Sequence, residues 1–223
     1  MNKNNKMLIS VSTEPVSSPE EMVVYLRELQ ALNVDYVHFD AMDGIFVPKV
    51  TYDHNYCAFI NNNSIIPIDA HLMLAVPEEV VESYVKAGAN IITVHYESFL
   101  NNRNDLEKCL KKIKSLGALA GLCIKPSTDI NVIIDVLRFC DLVLVMGVDP
   151  GRSGQKFIEK TLFKVKILSG IRKQFKFNFI IEVDGGITPA ISQQLKANGA
   201  DMIVSGSFIH DSLNRKKAIF DLT

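Results

Sequence analysis

The chain has 223 residues, 48% of them hydrophobic, with 24 Lys+Arg against 25 Asp+Glu and a formal net charge of −1. This length sustains a large buried core, while the balanced charge provides none of the basic field that a nucleic-acid partner requires. No apolar run reaches the ~18 residues of a membrane-spanning helix, and the polar start MNKNNK lacks a signal-peptide core, so the cytoplasm is the expected compartment, with no membrane partner.

Short apolar segments alternate with amphipathic ones along the whole chain. A strand over 7–11 leads to helical spacing over 19–32, opened by Ser18-Pro19. A strand over 36–39 leaves through His38 and Asp40, and helical spacing resumes over 52–61. The strand over 66–73 carries Asp69 and His71, and Val76-Pro77 opens a helix over 77–87. The strand over 91–95 ends in His95, and the helix over 105–116 bears Lys108, Lys111, Lys112 and Lys114 on a solvated face. Strands over 118–124, 142–148, 179–183 and 202–205 then alternate with helices over 129–139, 158–174, 189–197 and 213–222, the third opening at Thr188-Pro189. KAGANIITVH and KANGADMIVSG share one phrase, in which a glycine (Gly88, Gly199) takes the left-handed position after a helix and a strand follows.

Eight strand–helix units without a Pro/Ser linker predict one domain over 1–223, an α/β fold of the closed (β/α)8 TIM-barrel type, with an open doubly wound sheet as the alternative. The cysteines at 57, 109, 123 and 140 form no C-x-x-C pair and are read as small buried hydrophobes.

In a barrel the C-terminal strand ends meet at one cavity. There the sequence places Ser10, His38 with Asp40, Asp69 with His71, His95, and Glu182 with Asp184. The two-residue strand period points the members of each pair the same way. Two histidines and two carboxylates from three strand ends suit one divalent ion with mixed N/O ligation, such as zinc, iron or manganese. Each residue alone has a duller account: a strand-end histidine is commonly a hydrogen-bonded structural group, and an acid after a strand commonly caps a helix. Their joint occurrence favours a shared site, and Thr188 is a better cap than Asp184. Gly-rich turns in MGVDPGRSGQKF, VDGGIT and VSGSFI follow three late strands, where backbone N–H groups of a barrel meet a phosphate.

These residues resemble the ribulose-phosphate 3-epimerase family. HFDAMDGIFVPKVT (38–51), DAHLM (69–73), VH (94–95), MGVDPGRSGQKF (146–157), EVDGGI (182–187) and VSGSFI (204–209) stand in the family's order. The resemblance implies a barrel holding one divalent metal ion, zinc first with iron, manganese or cobalt also suitable, through His38, Asp40, His71 and Asp184. It implies that Asp40 and Asp184 are the acid/base pair for inversion at C3 of a ketose phosphate through an enediolate, D-ribulose 5-phosphate to D-xylulose 5-phosphate. It further implies substrate contacts from Ser10, His71 and Asp184, a reaction centre lined by Met42, Met73 and Met146, and a phosphate end formed by Gly151, Gly154, Gly185, Gly186, Gly206 and Ser207. Asp69 and Glu182 are expected to orient the ligands, or to be hydrogen-bonded barrel residues. His95 is read as a substrate contact or a satisfied strand end, and His54 and His210 as exposed or capping groups. A homo-oligomer, dimer or higher, is the expected assembly.

Departures from the family pattern fall at the sugar pocket and its lid. ISVSTEP keeps Ser10 but lacks the usual Pro and Asp, and Lys49 stands where Asn is usual. Gly147, Arg152 and Ser153 replace the favoured Thr, aromatic and Gly, and Phe208 replaces Ala. Two alternatives follow: the same chemistry on a longer ketose phosphate such as D-allulose 6-phosphate, and a non-catalytic sugar-phosphate-binding protein.

Overall fold

A computed structural model describes residues 6–100 and 102–223, so most of the polar start lies outside the described residues. Strands β1 (Leu8–Ser12), β2 (Tyr36–Met42), β3 (Ile68–Met73), β4 (Ala89–His95), β5 (Leu119–Ile124), β6 (Leu142–Met146), β7 (Ile180–Asp184) and β8 (Met202–Ser205) pair in parallel in chain order. β8 returns to β1 with Ser10 opposite Val204, which closes the predicted barrel. Closure leaves no strand edge to protect. Among the described residues no helix is long and apolar enough to cross a membrane.

Helices cover the outside: α1 (Pro19–Ala31), α2 (His54–Asn63), α3 (Val81–Lys86), α4 (Arg103–Ser115), α5 (Lys160–Phe175), α6 (Pro189–Asn198), α7 (Ser207–His210) and α8 (Arg215–Leu222). Local chemistry sets their ends. Ser18 Oγ accepts from Glu21 N–H at 3.2 Å and Thr188 Oγ1 from Ile191 N–H at 3.3 Å, each just before a proline. Gly88 and Gly199 both sit at φ +100°, the left-handed position that their shared phrase predicts.

The segment expected as a helix over 129–139 instead forms two 3-10 turns, Ile130–Ile133 and Leu137–Phe139. Its run of Ile130, Val132, Ile133, Ile134 and Val136 is β-branched, which restricts χ1 against a helical turn. Burial of Ile130, Ile133 and Leu137 is satisfied without a full helix. The expected helix over 77–87 likewise starts as a 3-10 turn, Pro77–Glu79, before α3. α7 was not expected from the sequence.

Outward strand residues pack under the helices in one continuous core that includes Val37, Phe39, Val94 and Leu122. Apolar and polar side chains interleave in the barrel interior. Ile91, Cys123, Leu142, Leu144, Met146 and Met202 form an apolar cluster. Ser10, His38, Asp69, His71, Thr93, His95 and Glu182 have no exposed surface, and Glu182 stands in register between Leu144 and Met202. Gly121 on β5 makes room for Thr93, because a Cβ there would lie 2.1 Å from Thr93 Oγ1.

Candidate active site

The site starts from β2. His38 Nδ1 lies 2.6 Å from Asp69 Oδ2, an oxygen that also accepts from Ser10 Oγ at 3.0 Å. A carboxylate only accepts, so His38 donates from Nδ1 and turns the bare face of Nε2 upward. That Nε2 is buried without a hydrogen-bond partner, 3.2 Å from Asp40 Oδ1 and 4.0 Å from Asp184 Oδ2. His71 Nδ1, from β3, reaches the same Asp40 oxygen at 3.1 Å. One donor atom each from His38, Asp40, His71 and Asp184 fits within 4.8 Å of the others.

The electrostatics of this cluster call for positive charge. Burial pulls the Asp40 carboxyl up, but His38 and His71 beside it prevail and hold it far below the usual carboxylate range. Burial, reinforced by Asp40 and opposed by His38, lifts Asp184 to about 6. Burial pushes His38 down, yet Asp40 and Asp69 raise it well above an ordinary histidine. Burial and the Asp69 charge drive Glu182 well above the carboxylate range. The carboxylates thus favour a cation among them, and metal binding at such a site displaces protons. The orphaned Nε2 and the two-nitrogen, two-carboxylate donor set fit a divalent ion.

Asp40 and Asp184 face a cavity of about 840 Å³, and Met42, Met73 and Met146 line it beside them. Gly151, Gly154, Gly185, Gly186, Gly206 and Ser207 line it as well. Gly185 and Gly186 stand at φ +105° and +70°, and a Cβ on Gly186 would lie 2.6 Å from Phe157 N. Only glycine allows the β7 loop to pass so close to its neighbour.

Ser10 and His71, expected as substrate contacts, have no exposed surface and are not among the residues that line the cavity. Ser10 is engaged by Asp69, and Ser12, one strand period nearer the mouth, takes the lining position. His95 is also buried; its Nε2 lies 2.9 Å from His71 Nε2 and its Nδ1 3.0 Å from Glu97 Oε2. Burial lowers His95 to about 4, and its bond to Glu97 only partly opposes this. Glu97 itself falls to about 2, because hydrogen bonds from His95, Thr128 and Lys125 outweigh its burial. His54 begins α2 against Tyr84, and His210 pairs with Asp211 at 2.8 Å, both away from the cavity lining.

The family departures also acquire places. Lys49 forms an ion pair with Glu14 at the rim. Gly147 is required where it stands, since a Cβ there would meet Gly185 O at 2.4 Å. Gln155 ties the Arg152 loop by donating to Asp149 O at 2.6 Å and Arg152 O at 2.8 Å. Phe208 faces the cavity, which runs on to Asn214 and Lys217 beside α8, residues that strand-end reasoning did not reach.

The ribulose-phosphate 3 epimerase family model matches residues 15–210. The chain belongs to that family. It is 41% identical over 175 residues to the ribulose-phosphate 3-epimerase of Aquifex aeolicus, covering 78% of this chain and 77% of that one. It is 37% identical over 219 residues to the Synechocystis enzyme of the same name, covering 98% and 93%. Among solved structures, 3-hexulose-6-phosphate synthase from Salmonella typhimurium superimposes with a TM-score of 0.71 at 15% identity, over 97% of this chain and 96% of the other. That likeness concerns the fold alone. Family membership makes the protein an epimerase and sets aside the non-catalytic reading. The family match begins after β1, so Ser10 and Ser12 lie outside it.

Proposed function

We propose that the protein interconverts D-ribulose 5-phosphate and D-xylulose 5-phosphate by proton transfer at C3, with Asp40 and Asp184 as the acid/base pair and one divalent ion held by His38, Asp40, His71 and Asp184. The observation that carries this reading is the pair of carboxylates that line one cavity. Without an ion, His38 and His71 hold Asp40 far below the usual carboxylate range, while burial lifts Asp184 to about 6. Inversion beside a ketone requires a base at one face of the carbon and an acid at the other, and neighbours with divided proton affinities supply both.

In one direction Asp40 takes the C3 proton and the Asp184 carboxyl returns one to the opposite face. In the other direction the roles exchange. Each such group contributes ~10² to 10⁴ in rate. The ion, when bound, supplies Lewis-acid stabilisation of the negative charge that develops on the sugar oxygens. The three methionines exclude water from the reaction centre. The loops after β7 and β8 hold the phosphate through backbone N–H groups around Gly185, Gly186, Gly206 and Ser207.

The test is an assay of metal-loaded enzyme on ribulose 5-phosphate in deuterated water, with xylulose 5-phosphate and deuterium at C3 as the expected products. Asp184→Asn is expected to abolish formation of xylulose 5-phosphate. Turnover that survives this substitution removes the mechanism. Parallel turnover of D-allulose 6-phosphate measures how far the rearranged rim of Lys49, Arg152 and Phe208 admits a longer sugar.

A further inference from the structure

We propose that His95 and Glu97 are positioning residues that fix the tautomer of His71 and turn its Nδ1 toward the metal ion, an inference that rests on the metal reading above. Glu97 lies in the 3-10 turn Tyr96–Phe99 that follows β4. Its Oε1 is occupied by two donors from beyond β5, Lys125 N–H at 2.8 Å and the Thr128 hydroxyl. This leaves Oε2 for His95 Nδ1 at 3.0 Å. The carboxylate only accepts, so His95 spends its Nδ1 proton there and its Nε2 becomes an acceptor. That Nε2 meets His71 Nε2 at 2.9 Å, a contact that holds one proton, and His71 supplies it.

With its proton on Nε2, His71 presents a lone pair at Nδ1, 3.1 Å from the Asp40 oxygen. Two acceptors face each other there, which suits a cation between them. The chain Glu97–His95–His71 thus does for His71 what Asp69 does for His38, with one extra ring inserted. Such partners fix ring orientation and raise ligand basicity.

The extra ring is held in place by its neighbours. His95 meets His71 with ring centroids 5.0 Å apart and Phe46, at a tilt, with centroids 4.6 Å apart, and the Lys125 ammonium caps the Phe46 ring at 4.1 Å. Neither His71 nor His95 has exposed surface, so bulk water does not replace the missing link if one is removed.

The test pairs zinc titration with long-range proton–nitrogen correlation spectra of the zinc-loaded protein. Expected are one zinc per chain, His71 Nδ1 on the metal and a proton on His71 Nε2. His95→Leu should weaken zinc affinity by ~10- to 100-fold. His95→Gln should retain it, because its amide oxygen can accept the same proton. A role limited to filling space predicts the opposite order. Equal affinity in His95→Leu and the parent, or a His71 bound through Nε2, overturns the proposal while leaving the metal reading intact. Absence of any bound ion in the parent overturns the metal reading itself. A further group of possible donors, His71 with His95 and Cys123, gives another check. A second zinc that disappears in Cys123→Ser would place an ion on the very nitrogens assigned here to a hydrogen bond, and would also overturn the proposal. The parent's spectrum decides the tautomer even if a variant fails to fold.

Discussion

Asp184→Asn should stabilise the metal-free protein while abolishing its activity. Burial and the Asp40 charge lift the Asp184 carboxyl to about 6 from the ordinary aspartate value of 3.8. A raised value means that the folded state binds the proton more tightly than the unfolded chain. The stabilisation is therefore complete below about pH 4 and is lost as pH rises to about 6. Two units correspond to about 3 kcal/mol at pH 7, reduced to about 2–3 kcal/mol because 19% of the side chain meets water. Asparagine removes that charge at every pH. For a chain of this size the gain corresponds to roughly 5–10 °C in Tm. Calorimetry of chelator-treated protein between pH 4 and 8 provides the measurement, with the gap between variant and parent opening from pH 4 to 6 and constant above. Saturating zinc should reverse the order, since ligand at a thousand times Kd adds about 4.1 kcal/mol to the parent alone. A gap that is already full at pH 4, or none at pH 8, refutes the electrostatic account.

Chelation should abolish turnover of the parent, and zinc, manganese or cobalt should restore it, as followed by the same product assay. Gly186→Ala forces a Cβ against Phe157 N at a φ of +70°, so a loss of about 1–3 kcal/mol in stability and a raised KM are expected from unfolding and steady-state measurements. Lys49→Asn breaks a rim ion pair whose lysine is 43% exposed, and should change stability by less than ~1 kcal/mol in urea titration. All four cysteines are buried, and burial pushes the Cys57 and Cys109 thiols up to about 12, so a thiol reagent should label none in the native protein and four in urea.

What was legible in the chain had a short-range cause. Strand period two places His38 with Asp40 and Glu182 with Asp184 whatever the rest of the fold does, and both pairs point inward as expected. Gly88 and Gly199 announce left-handed turns because each follows a helix at φ +100°, which glycine adopts without steric cost. The failures depend on distance along the strand or across the barrel. Ser10 and Ser12 share one inward face, and only strand depth decides that Asp69 takes the first and the cavity the second. His95 and Glu97 also obey the two-residue spacing, but the chain turns into a 3-10 helix between them. Their link to His71 depends on the β3–β4 register, which no local pattern shows.

The mixed barrel interior sets the proton affinities of its acids apart. Asp69 and Glu182 have no exposed surface, so ionised together they would repel with little screening by water. Burial raises Asp69, but His38 and Ser10 beside it hold it below the ordinary aspartate range. Glu182 stands in register between Leu144 and Met202, and burial with the Asp69 charge raises it. Asp184 lies one strand period nearer the mouth, where burial lifts it to about 6 against the pull of His38. The proton affinity of each acid thus follows the histidine it meets and the apolar neighbours around it.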